Sequence, residues 1–158
     1  MERIAVVDIL SFYREIDGNI QWNKRVLRNI EDEYYNTIGG GTMDGMPHGN
    51  SGISDPTANT AINIPKDISE EVREISERLE KLPNLKIAIL QELSKLPLLE
   101  KSILYDFYIS NFSWVRISGR VHYSVTQCKK IRNRGLDSLK RQFAENSTIT
   151  NFDFRFTI

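Results

Sequence analysis

The stretch Ser113–Arg134 reads SWVRISGRVHYSVTQCKKIRNR, and its spacing decides the fold. With Ser118 as the small residue of a first short helix, apolar side chains fall at Ile117, Val121, Tyr123, Val125, Cys128 and Ile131. Those are the positions a helix-turn-helix buries to hold two short helices at a fixed angle. Ser113 and Ser124 stand where each helix needs an N-cap acceptor. The residues left on the second helix are Thr126, Gln127, Lys129, Lys130, Arg132, Asn133 and Arg134. Each can donate a hydrogen bond and none is acidic, which suits base edges and phosphates.

Charge agrees with that placement. The 158 residues carry no net charge overall. Residues 1–96, however, hold 11 Lys+Arg against 16 Asp+Glu, a net −5, and residues 97–145 hold 9 against 4, a net +5. Such an asymmetry says more about partners than the total does; alone it fits a solvated surface equally well, and together with the spacing above it favours nucleic acid. The single cysteine, Cys128, excludes an intramolecular disulfide framework and suits a reducing compartment. No apolar run reaches the length of a membrane span, and no leader with a charged start and apolar core is present, so a cytoplasmic protein is expected.

Outward from the helix-turn-helix, residues 1–37 read as one long amphipathic helix. Val6, Ile9, Tyr13, Ile16, Ile20, Asn23, Leu27, Ile30 and Tyr34 step by three and four, a heptad seam with one polar interruption. Asn23 is either a buried register-setting residue or a point where the seam rotates toward Trp22 and Val26. A second seam runs through Ile68, Val72, Ile75, Leu79, Leu82, Lys86, Ile89, Leu93 and Leu96, with Lys86 as its exception. Pro83 and Pro97 predict breaks, giving helices over about 67–82, 85–95 and 98–109. Two matched seams joined by a flexible connection predict a helical pair within the chain, with a dimeric coiled coil as the alternative.

The connection, IGGGTMDGMPHGNSGISDPTANTAI over residues 38–62, is dominated by turn formers. Gly39, Gly41 and Gly45 fit neither the dinucleotide fingerprint nor the P-loop, and no Gly-Lys-Ser/Thr follows. The tail alternates strictly, with Phe152, Phe154, Phe156 and Ile158 against Asp153, Arg155 and Thr157, which is a strand pattern. Either it pairs with another copy or a partner sheet, or it packs as an apolar tail over the helices.

Nothing in the chain argues for catalysis. The two histidines, His48 and His122, and the one cysteine make no cluster with zinc-ligand spacing. Cys128 falls on the buried side of its helix, as a small hydrophobe. Glu70, Glu71, Glu74, Glu77 and Glu80, with Arg73 and Arg78 among them, describe a solvated helix face. No cofactor or metal is expected.

In this order the pieces resemble the ArpU/RinA family of bacteriophage transcriptional regulators. The resemblance rests on the N-terminal helix, on Asp44-Gly45-Met46-Pro47 with Ser54-Asp55, and on the C-terminal segment. That segment, Leu98-Leu99-Glu100 through Phe107-Tyr108, Ser113-Trp114 and Tyr123-Ser124, is also similar to the fourth region of sigma factors. The family implies activation of late phage genes in a bacterial host. Two departures stand out. His122 occupies the turn position often held by glycine, and Arg116 and Arg120 replace residues more often acidic.

The reading is an all-α chain. It comprises an N-terminal helix over 1–37 pairing with central helices over 65–96, a flexible loop over 38–64, a sigma-region-four-like helix-turn-helix domain over 97–145 and a strand-like tail over 146–158. Its expected partner is double-stranded DNA. Thr126, Gln127, Lys130 and Arg134 are candidates for base edges; Ser124, Arg116, Arg120, Lys129, Arg132 and Asn133 are candidates for phosphates. One helix-turn-helix covers a small footprint, so a homodimer is expected, with RNA polymerase as a further candidate partner. The alternatives are a DNA-packaging protein resembling a small terminase subunit, and a polymerase-binding module that does not touch DNA.

Overall fold

A computed structural model describes residues 3–36 and 65–154, and every regular element among them is helical. The elements are α1 (Arg3–Tyr13), α2 (Ile16–Glu31, followed by a π-helical turn, Asp32–Asn36), α3 (Lys66–Ser94), α4 (Leu98–Leu104, followed by a π-helical turn, Tyr105–Ile109), α5 (Trp114–Val121), α6 (Val125–Glu145) and α7 (Ser147–Thr150). None of these helices is long and apolar enough to cross a membrane. The glycine-rich loop lies outside the described residues.

The chain divides into two compact units. One is drawn from Met1–Ile20 and Glu80–Ile158, and its core gathers Val6, Leu10 and Ile16 with Leu85, Ile89, Leu104, Leu139, Phe143 and Ile149. Burying each such side chain contributes about 1.5–3 kcal/mol. The other unit is drawn from Gln21–Leu79 and buries Asn23, Ile30 and Ile75. The seam therefore keeps its phase at Asn23, while Trp22 stays 61 % exposed. Glu70, Glu71, Glu74 and Glu77 are solvent-facing, and Glu74 meets Arg78 at 3.4 Å.

The polar exception in the second seam has a partner. The Lys86 ammonium donates to both carboxylate oxygens of Asp17 at 2.7 Å and lies 5.6 Å from the centre of the Tyr13 ring. The hydrogen bond to Asp17 holds the Lys86 pKa above its ordinary value, while burial pushes the Tyr13 phenol up as well.

Three expectations need correction. The N-terminal helix is interrupted at Arg14–Glu15, where bonds tighten to i→i−3: Arg14 N–H to the Ser11 carbonyl at 3.2 Å and Glu15 N–H to Phe12 at 2.8 Å. That step lets Phe12, Tyr13 and Ile16 all turn inward. Pro83 does not break α3. Proline removes one amide donor, but the buried Leu82 and Leu85 anchor the helix on either side, and the Asn84 side chain adds a donor to the Glu80 carbonyl at 3.1 Å.

The strand-like tail is the third. Ser147–Thr150 is a helical turn capped by the Asn146 side chain, which accepts from the Thr148 and Ile149 amides. Asn146 is itself fixed by donating to the buried Glu92 at 2.7 Å. Beyond it, Phe152 and Phe154 pack on Phe12, with ring centres 5.9 and 5.5 Å away. Both rings of the alternating pattern thus face the same core, so the apolar-tail alternative describes residues 151–154, while Phe156 and Ile158 lie outside the described residues.

Candidate nucleic-acid interface

α5 and α6 are the two helices expected from Ser113–Arg134, and both N-caps form. Ser113 accepts from the Arg116 amide at 3.4 Å. Ser124 accepts from the Gln127 amide at 3.2 Å, and the Gln127 Oε1 accepts in return from the Ser124 N–H, also at 3.2 Å, completing a capping box. Ile117 and Cys128 are fully buried and Ile131 nearly so, and with Ile103 they form a second small core, against which Leu99, Phe107, Phe112, Trp114 and Val121 pack. Val125 is half-buried.

The turn is held by its backbone. His122 closes α5 in the left-handed region, φ 57°, ψ 34°. The carbonyl of Tyr123 then accepts from Ser118 Oγ on α5 and from the Cys128 thiol on α6, the latter at 3.7 Å. One acceptor thus ties both helices together. Burial pushes the Cys128 thiol up, away from thiolate chemistry. Tyr123 departs from the sequence reading: its side chain is 43 % exposed, because it is the carbonyl rather than the ring that turns inward.

α6 belongs to both cores of its unit. Cys128 and Ile131 face the small core, while Leu136, Leu139 and Phe143 face the large one. Between them Gly135 lets α4 approach so closely that a Cβ there would stand 2.7 Å from Leu104 Cδ1. With that side spoken for, the opposite face of α6 is solvent-facing at Thr126, Lys130, Arg134, Asp137 and Arg141.

The candidate residues separate into two groups. Ser124 at the N-cap and Thr126, Gln127, Lys129, Lys130, Arg132, Asn133 and Arg134 along the first three turns of α6 make the first group, ahead of the helix's first acidic residue, Asp137. Among the described residues Thr126 and Lys130 are exposed and have no side-chain partner, while Arg134 stands 3.9 Å from Glu100 with its side chain 68 % exposed. Lys129 and Arg132 flank the Trp114 ring, their charges 5.9 and 5.3 Å from its centre. Trp114 stacks in turn on Phe107 at 4.2 Å. Arg132 also donates twice to Asn133 Oδ1, at 3.2 and 3.0 Å, which fixes its guanidinium plane.

Arg116 and Arg120 form the second group, on α5. The Arg116 guanidinium lies 3.7 Å over the Phe112 ring, and Arg120 donates to Asp106 at 3.1 Å. Asp106 is buried in the π-helical turn after α4, so Arg120 is part of what holds α5 in place. Sequence reasoning missed Asp106, Phe107, Phe112 and Trp114 as positioning residues. The aromatic spacing around Ser113 was the available signal for the rings; Asp106 offered none, its partner being distant in sequence.

Gln127 is brought to the face, but its carboxamide oxygen is committed to the cap, leaving only the amide to act outward. Lys129, Lys130, Arg132 and Arg134 with the positive end of the α6 dipole make this the cationic end of the helix. No family model matches the chain, and no curated protein or solved structure does.

Proposed function

We propose that the protein is a sequence-specific DNA-binding regulator of transcription that lays the first three turns of α6 in the major groove. The observation that carries this reading is the exposed face Thr126, Lys129, Lys130 and Arg134: each can donate a hydrogen bond and none is acidic, on a helix whose opposite side is fixed in two cores. Thr126, Lys130 and Arg134 are placed to meet base edges. Lys129 and Arg132, steadied against Trp114, are placed for phosphates. Gln127 serves the cap first and a base edge second.

The regulator acts as a homodimer on paired half-sites, in the cytoplasm of a bacterial host. Its assignment to late phage genes rests on the sequence resemblance.

Anisotropy titrations of a duplex selected from a random pool, run across a salt series, test the reading. Lys129→Ala should flatten the plot of log affinity against log salt by about one unit, while Lys130→Ala should relax specificity at one position. No binding at low salt, or unchanged affinity in Gln127→Ala/Lys130→Ala, would overturn the assignment of α6. Light scattering tests the dimer, and a closed ring of more copies would favour a packaging protein instead.

A further inference from the structure

We propose that Tyr123 is a DNA-contacting residue whose ring lies on the sugar–phosphate strand beside the N-terminus of α6 and whose hydroxyl donates to a phosphate. The proposal rests on the reading of α5, the turn and α6 as the DNA-binding element, and it adds an uncharged contact that the basic residues do not supply.

Three observations carry it. Apolar spacing assigns Tyr123 to the core, yet it is 43 % exposed, while Ile117 and Cys128 of that pattern are fully buried and Val121 and Val125 half-buried. The exposure is enforced. Ser118 Oγ and the Cys128 thiol hold the Tyr123 carbonyl, one from each helix, and the left-handed His122 before it and the extended Ser124 after it (φ −63°, ψ 153°) leave the residue little freedom to rotate inward. Lastly, Tyr123 directly precedes the N-cap of α6, three residues from Thr126, so it shares the end of the helix that enters the groove. Among the described residues its hydroxyl has no hydrogen-bond partner. An amphipathic ring with a free donor, anchored beside a cationic helix end, is suited to a nucleic-acid backbone.

The competing account is purely structural. A residue just before an N-cap often packs on the fourth helical residue, here Cys128, as a hydrophobic staple. The two accounts part at Tyr123→Phe, which keeps the ring and loses only the hydroxyl.

The test is anisotropy on the selected duplex, comparing wild type, Tyr123→Phe and Lys129→Ala over a salt series, with thermal melts of each protein. The expected result is a loss of about tenfold in affinity for Tyr123→Phe, an unchanged melting temperature and an unchanged salt slope, because a phenol neutralises no phosphate. A photoreactive phenylalanine at position 123 should crosslink to the duplex. Wild-type affinity in Tyr123→Phe, or no crosslink, while Lys129→Ala still flattens the slope, would overturn the proposal and leave the DNA reading intact. Absence of binding by the wild-type protein would overturn both.

Discussion

Replacing His122 by glycine tests the turn between α5 and α6 directly. At φ 57°, ψ 34° an L-residue brings its Cβ close to the backbone carbonyl, at a cost of about 1–2 kcal/mol. Histidine enters this region more readily than most residues, which argues for the lower figure. Glycine removes that strain, but its freer unfolded chain returns about 0.4–1 kcal/mol. His122 is exposed and has no side-chain partner among the described residues, so nothing else is lost. The net expectation for His122→Gly is a gain of about 0–0.6 kcal/mol, the lower strain figure less what the freer unfolded chain returns. In a chain of this length that raises the melting temperature by at most about 2 °C.

His122→Ala is the control that isolates the backbone. It deletes the imidazole but keeps the Cβ, so it should fall close to wild type and below the glycine variant. His122→Val, with its branched Cβ, should fall lower still. Urea unfolding read at constant m-value would separate a change in stability from a change in the unfolded chain. DNA affinity should be unchanged in His122→Gly, since Ser118 and Cys128 still hold the Tyr123 carbonyl. A glycine variant no more stable than the alanine variant would refute the reasoning, because the strain would then be absent in solution.

Three further outcomes follow from the packing. Glu92 is buried, which raises its pKa, but the hydrogen bonds from Lys95 and Asn146 and the charge of Lys95 outweigh that and hold it below the ordinary value. Its contribution is therefore present above the unfolded carboxylate pKa of about 4.3 and lost as pH falls through the lower folded value; the stability gap between wild type and Glu92→Gln, measured by urea melts, should close toward pH 3. Arg120→Ala should lower stability by about 1–3 kcal/mol by leaving the Asp106 carboxylate buried and unpaired, and a double-mutant cycle with Asp106→Asn should show coupling. Gly135→Val should cost about 1–3 kcal/mol through overpacking against Leu104, visible as a lower urea midpoint; an unaltered midpoint would mean that α4 and α6 can separate freely.

What was legible in the sequence was local or periodic. The caps at Ser113 and Ser124 were readable because a serine and its acceptor role lie within three residues of each other. The two seams were readable because burial repeats along a helix, and even their polar members kept phase: Asn23 buried, Lys86 inside reach of Asp17. The turn at Arg14–Glu15 was not, since no glycine or proline marks it and only the packing of Phe12, Tyr13 and Ile16 demands it. Pro83 misled in the other direction, a local breaker overruled by burial on either side. The Phe152–Phe154 alternation misled because a strand and a core-hugging irregular tail can share one pattern when both rings find the same partner, Phe12.

The candidate site was harder than the fold because its orientation is settled at a distance. A helical wheel says that Thr126 and Lys130 share a face; it does not say that this face is the free one. That follows from Gly135, which admits α4 on the opposite side, and from Leu139 and Phe143, which tie the far end of α6 into the large core. The same logic separates Arg120 from the other cations. Its charge looked equivalent in sequence, yet a buried carboxylate in the π-helical turn claims it, while Arg132 is steadied by a ring and an amide that leave its charge unmatched. Cations neutralised by the fold position α5 and α6; cations steadied without being neutralised are the ones free to meet the anionic partner we propose. By that criterion Lys129 and Arg132 should dominate the salt dependence of binding, and Arg120 should register in stability before it registers in affinity.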